Sequence, residues 1–454
     1  MLGETVRMGP ETRYALSGDV SIAYQVIGEG GPIDIVFAHG FVQNLEVAAE
    51  NPRSEAFFQR LAELGRVIRF DRRGMGLSDR VREVPTLETR MDDFRAVMDA
   101  AESPRAVLFA TFEAASVTML YAATYPERVA GLALYCPIAK GLRSPDYPWA
   151  ILSEEEEARS IEQLPSRWGS RELAAEMLQT AAPTIADDPE MQDWFARVMR
   201  LGASPGAAAL TSRMAMAVDI RDVLPSIRVP TLVLNRDFTR GEATYIAERI
   251  PHARRVEIGG PDTMFFLAEG LADEVIAFAR TVWGEREPDT VLATILFTDI
   301  VGSTAKAAEL GDRAWADLVQ RHHAVVRAQL DRFRGRELDT AGDGFFASFD
   351  GPIRAIRCAA AIEQNVRDLG LEVRAGLHTG ECEVVGDKLG GIAVNIGSRV
   401  ASLAQPGEVL VSSTVKDLVA GSGLAFQDRG AHELKGIPGE WRLFSAEEPA
   451  GNST

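Results

Sequence analysis

Two stretches leave this chain few choices of fold. In the first, the apolar run 291–297 reads as a buried strand, and the acid Asp299 follows at its end. A turn of small residues comes next, Val301-Gly302-Ser303-Thr304, and then a helix. In the second, Asp343-Gly344 forms the tip of a hairpin between a polar strand and the apolar strand 345–349. Adjacent antiparallel strands would hold Asp299 and Asp343 side by side. Paired carboxylates bind hard cations such as Mg²⁺, which takes a few carboxylates and leaves other positions to substrate phosphates. The N–H groups from Ile300 to Thr304, at a helix start, suit a triphosphate.

Further along come Val394-Asn395, Arg399 one helical turn later, and Leu434-Lys435-Gly436. With the two acids, these motifs make the region from about 290 to 447 resemble the catalytic domain of class III nucleotide cyclases. The resemblance implies an α+β domain with a ferredoxin-like core. It implies that Asp299, Asp343 and the Ile300 carbonyl hold two Mg²⁺ or Mn²⁺ ions. The N–H groups of Val301, Gly302, Ser303 and Thr304, together with Lys435, would bind phosphates. Asn395 would orient the ribose, and Arg399 would stabilise charge on the α-phosphate. The reaction would be attack of the ribose 3′-oxygen on the α-phosphorus of ATP, giving 3′,5′-cyclic AMP and pyrophosphate. In this family the acids come from one subunit and the Asn/Arg pair from the other, so a head-to-tail homodimer is implied.

The base-reading positions depart from the adenylate pattern, which has a lysine four residues before the second acid and an aspartate seven before the asparagine. Those positions hold Asp339 and Lys388, with the charges swapped. Three outcomes stand. The two pair and leave the base unread; they read adenine in exchanged roles; or they read guanine, which makes GTP the substrate. Asp387, in a glycine-rich loop, could shift into the Lys388 position. A low-specificity cyclase and a non-catalytic nucleotide-binding module are the other readings of this half.

At 454 residues the chain has room for two or three domains. Its net charge of −18 repels nucleic acid and anionic membrane, so neither is an expected partner. Cys136, Cys358 and Cys382 are odd in number and lack metal-binding spacing, which suits reduced thiols in a cytosol. Residues 1–14 lack the apolar core of a signal peptide. No apolar run reaches the ~18 residues of a membrane span. The expectation is a soluble, cytoplasmic protein.

The first half alternates strands (20–27, 33–38, 67–70, 106–110, 129–135, 230–234, 255–258) with helices (86–100, 113–125, 242–250, 271–282). Such alternation implies a parallel sheet covered on both faces. Residues 138–220 interrupt it with acidic, helical sequence. Residues 14–284 resemble the α/β-hydrolase fold, with 138–220 as its cap. The expected division is an α/β-hydrolase-like domain over 1–284, a linker at 285–290, the cyclase domain over 291–447 and a disordered tail at 448–454. In the second half, a helix over 305–333 breaks near Gly311, and strands are expected at 372–377 and 381–385.

The hydrolase reaction needs Gly-x-Ser-x-Gly on a strained elbow, a histidine base and an acid. The elbow here reads Ala110-Thr111-Phe112-Glu113-Ala114, so Phe112 takes the nucleophile's place. Thr263 stands where the base belongs. His39-Gly40 sits where the family builds part of its oxyanion hole, and Asp237 keeps the acid's place. A hydrolase with a cyclase-like regulatory domain is therefore disfavoured. This half reads as a sensor binding a small molecule under the cap, or as a scaffold for the dimer.

Overall fold

The computed structural model describes residues 10–81, 83–150, 152–283, 290–385 and 388–447, without the side chains of Ala341 and Val385. The chain divides into two compact units, Met1–Pro288 and Asp289–Thr454. Of the expected linker, 285–289 lies outside the described residues, as do the tail 448–454 and Asp387. No described helix is long and apolar enough to cross a membrane.

The first unit is built on β1 (Thr12–Ser17), β2 (Val20–Ile27), β3 (Ile35–Ala38), β4 (Val67–Phe70), β5 (Ala106–Thr111), β6 (Val129–Tyr135), β7 (Thr231–Asn235) and β8 (Arg254–Glu257). Their order is β1-β2-β4-β3-β5-β6-β7-β8. The sheet is parallel from β4 to β8, and β1 and β2 add an antiparallel edge. Every residue of β3, β5, β6 and β7 is buried, as strands covered on both faces must be. The helix Ala114–Thr124 is buried all round, so it shows no polar face. Between β6 and β7 lie the helices Glu154–Arg167, Arg171–Ala181, Pro189–Gly202 and Pro205–Met216.

The second unit is built on β9 (Thr290–Ile300), β10 (Arg336–Ala341), β11 (Gly344–Phe349), β12 (Val373–Val385), β13 (Lys388–Gly390), β14 (Val409–Ser412), β15 (Ala425–Glu433) and β16 (Glu440–Glu447). The order is β10-β11-β9-β12-β14-β16-β15, with β13 folded back on β12. One face packs the helices Asp312–Arg332 and Pro352–Val366 into an apolar core. The other carries the helix Ile392–Leu403.

Two sequence expectations change here. The strand expected over 291–297 continues to Ile300, so Asp299 sits inside it. The two strands expected at 372–377 and 381–385 are one. Gly380 does not break β12. Its bare Cα admits the Ile392–Leu403 helix, because a Cβ there would lie 2.9 Å from Ala393 Cβ and 2.8 Å from His378 Nε2. Gly311 does break the helix after β9, at φ 76°, into Ser303–Leu310 and Asp312–Arg332.

Candidate active site

Strand register brings the two acids together. Phe345 of β11 faces Thr298 of β9, so the turn holding Asp343 lies beside Asp299 and Ile300. The turn is closed by Gly342 at φ 64° and anchored by His323, whose ring N–H donates to the Gly342 carbonyl at 3.0 Å. Asp343 Oδ2 is buried and has no hydrogen-bond partner. A buried carboxylate oxygen left unpaired costs about 1–3 kcal/mol or more, a debt that a cation would cancel. Among the described residues no cluster of three or more His, Cys, Asp or Glu surrounds it. Two carboxylates without a full protein cage suit Mg²⁺ or Mn²⁺, whose remaining positions go to water and phosphate oxygens. The residues present therefore fit such an ion.

Asp299 has a partner that its sequence neighbourhood does not reveal. Arg374 lies directly across the ladder on β12. Its Nη2 and Nε donate to Asp299 Oδ2 at 2.7 and 3.2 Å. The pair is about one-third exposed on each side, so the guanidinium is held at the mouth of the site. The two residues are far apart in sequence, and only the β9–β12 register joins them.

The phosphate-binding segment needs one correction. The Val301 N–H donates to the Glu372 carbonyl at 2.8 Å and is not available to an anion. Gly302, at φ 67°, opens the helix Ser303–Leu310, whose first N–H groups belong to Ser303 and Thr304. Ile300 ends β9 with its side chain in the core.

Asn395 and Arg399 lie one turn apart on the Ile392–Leu403 helix, both exposed. Arg399 Nε donates to the Lys435 carbonyl at 3.1 Å, which brings the arginine and the lysine together. Among the described residues no hydrogen bond or ion pair joins this group to Asp299 or Asp343. At the base-reading positions, Lys388 Nζ lies 3.6 Å from Asp339 Oδ2. Beside them, Phe297 and Phe346 stack with centroids 4.7 Å apart.

In the first unit, the elbow survives without its chemistry. Phe112 holds φ 48°, the strained turn conformation, with a phenyl ring in place of a nucleophile. Thr263 donates from N and Oγ1 to the Ala181 carbonyl, at 2.7 and 3.0 Å, and so ties its loop to the cap. Asp237 is exposed and pairs with Arg240 at 2.8 Å. His39 bonds Thr111 Oγ1 at 3.1 Å, and burial, with Arg72 nearby, pushes its pKa down to about 3. These four residues do not form a triad.

Residues 287–447 match the adenylate and guanylate cyclase catalytic domain. The C-terminal unit carries a class III nucleotide cyclase domain. Residues 34–237 match the serine aminopeptidase family S33. A Rhizobium meliloti protein bearing an adenylate cyclase name is 32% identical over 155 residues, covering 32% of this chain and 26% of its own length. A receptor-type adenylate cyclase of Trypanosoma brucei brucei is 25% identical over 253 residues, 43% of this chain and 20% of the relative. The chain thus spans about a quarter or less of these two relatives. The fold of the first unit is shared with a bromoperoxidase from Bacillus anthracis, at TM-score 0.52 and 20% identity over 60% of this chain and 100% of that one.

Proposed function

We propose that the cyclase domain converts ATP to 3′,5′-cyclic AMP and pyrophosphate. The observation that carries this reading is the strand register that sets the Asp343 turn beside Asp299, with Asp343 Oδ2 buried and unpartnered. Two Mg²⁺ or Mn²⁺ ions bound there would acidify the ribose 3′-hydroxyl and neutralise phosphate charge. Asp299 and Asp343 would hold these ions, and the N–H groups of Ser303 and Thr304, at the start of their helix, would serve the phosphates. Arg374, which holds Asp299 Oδ2, would be displaced by such an ion and would then offer its guanidinium to the phosphate oxygens. Arg399 places its charge against the α-phosphate as the 3′-oxygen attacks, Asn395 fixes the ribose, and Lys435 meets the terminal phosphates.

The exposure of Asn395 and Arg399, and their lack of bonds to the acids, support a site shared between two copies of the chain. The hydrolase-like unit is proposed to lack hydrolytic activity and to act as a sensor; a scaffold for the dimer is the alternative. Adenylate names among the relatives favour ATP, and the Lys388–Asp339 pair favours poor discrimination against GTP. The test is incubation of the purified protein with Mn²⁺ and ATP or GTP, with chromatographic detection of cyclic nucleotide. Cyclic AMP is expected; formation of neither cyclic nucleotide by a folded protein overturns the proposal.

A further inference from the structure

The hairpin that carries Asp343 turns on two residues. The β10–β11 ladder closes at Ala341 and Gly344, so Gly342 and Asp343 form the turn by themselves. The residue before the metal acid is a glycine held in the left-handed region, at φ 64°. A Cβ on it would meet nothing within 4 Å, so the position answers to conformation and not to crowding. That freedom is a liability at a metal site, because glycine populates several backbone states at similar cost. The Gly342 carbonyl and the Asp343 N–H belong to one rigid peptide plane. Whatever fixes that carbonyl also fixes the direction in which the Asp343 side chain leaves the backbone. The side chain has no hold of its own at Oδ2, which lacks a hydrogen-bond partner.

His323 supplies the hold. The helix Asp312–Arg332 buries Leu318, His322, Val326 and Leu330 at four-residue spacing. His323 stands one position round from this line, at the edge of the buried face, where it meets the hairpin. Its ring N–H donates to the Gly342 carbonyl at 3.0 Å. The same ring packs edge-on against Phe345, two residues past Asp343, with centroids 5.0 Å apart. One imidazole is thus seated against the strand and bonded to the turn. A second link joins helix and hairpin elsewhere. Arg327 Nε and Nη2 bond the Glu337 carboxylate at 2.7 and 2.8 Å, near the start of β10 and away from the turn.

We propose that His323 is a positioning residue for the metal acid: by fixing the Gly342–Asp343 peptide it sets the affinity of the site for Mn²⁺ or Mg²⁺. The proposal rests on the reading of Asp299 and Asp343 as metal ligands. The test is titration of the full-length protein with Mn²⁺ alone, followed by the electron paramagnetic resonance signal of free Mn²⁺, which binding removes. His323→Leu deletes the donor and should weaken Mn²⁺ binding by ~10-fold or more, as loss of a group that orients a metal ligand does. Its melting temperature should stay near wild type, since the ring is only partly buried. His323→Gln keeps an N–H at similar reach and should restore the wild-type midpoint. Arg327→Gln loosens the same hairpin away from the turn and should leave the midpoint unchanged. Unchanged affinity in His323→Leu, or an equal loss in His323→Gln or Arg327→Gln, would overturn the proposal while leaving the metal reading in place. No Mn²⁺ binding by wild type, or equal binding by Asp343→Ala, would overturn both.

Discussion

Lys388 Nζ lies 3.6 Å from Asp339 Oδ2, which ties the β12–β13 hairpin to β10. Both side chains are largely exposed, at 65% and 60%, and such a pair contributes only about 0–1 kcal/mol. An incoming base can part it at little cost, but the paired groups give that base no fixed reader. Wild type is therefore expected to use ATP with poor discrimination against GTP. Exchanging the charges, with Asp339→Lys and Lys388→Asp together, should raise the ATP-to-GTP ratio of kcat/KM. A wild-type preference for GTP above ~10-fold, about 1.4 kcal/mol, would replace the adenine reading with the guanine one.

Arg374 occupies the carboxylate that the metal reading needs. Removing it should free Asp299 for the ion and remove a cation from the phosphate path. Arg374→Ala is expected to lower the Mn²⁺ concentration for half-maximal activity while reducing kcat by ~10-fold or more, in line with the loss of one charge-stabilising donor. A metal titration at saturating nucleotide measures both. An unchanged metal midpoint would mean that the arginine and the ion do not compete.

The elbow at Phe112 offers a clean separation of geometry from chemistry. Phe112→Ser restores a hydroxyl at a backbone already turned to φ 48°. It finds no imidazole, because Thr263 stands in the base position with its hydroxyl spent on Ala181. Generic nitrophenyl esters should remain unhydrolysed in wild type, Phe112→Ala and Phe112→Ser. Turnover surviving in Phe112→Ala would reveal another nucleophile.

Glu242 supplies a pH signature of the first unit. Its carboxylate accepts from Tyr147 Oη at 2.6 Å and from the Ala139 N–H at 3.2 Å, and burial pushes its pKa up to about 7 from 4.5. The folded state therefore keeps a proton that the unfolded chain releases. Stability falls as pH rises from about 4.5 to 7, by about 3 kcal/mol from this group alone, and is level above that. Glu242→Gln removes the dependence. The melting temperature of the variant relative to wild type should rise between pH 5 and pH 8; a difference that stays flat would contradict the assignment.

Much of this arrangement was legible because periodicity and acids at strand ends are local signals. The hairpin at Asp343, the break at Gly311 and the parallel sheet of the first unit all follow from neighbouring residues. What escaped the sequence depends on register and close packing. Arg374 meets Asp299 only through the β9–β12 ladder. The Val301 N–H is lost to the Glu372 carbonyl, a partner no local pattern names. The gap expected between 377 and 381 closes because Gly380 stays in the ladder and its bare Cα admits a helix, a packing role its neighbours in sequence do not announce. The polar edge strand β1 carries Tyr14 and Leu16 outward and gave no apolar alternation to find.

The central claim is a nucleotide cyclase whose metal acids and Asn/Arg pair come from different copies of the chain. It is tested most directly by mixing two inactive variants, Asp299→Ala and Arg399→Ala, and measuring cyclic AMP formation. Each alone should be nearly inactive. After subunit exchange, half the dimers are mixed and each carries one intact site, so activity should return to about a quarter of wild type. Silence in the mixture despite proven exchange, or near-wild-type activity in either variant alone, would contradict the account.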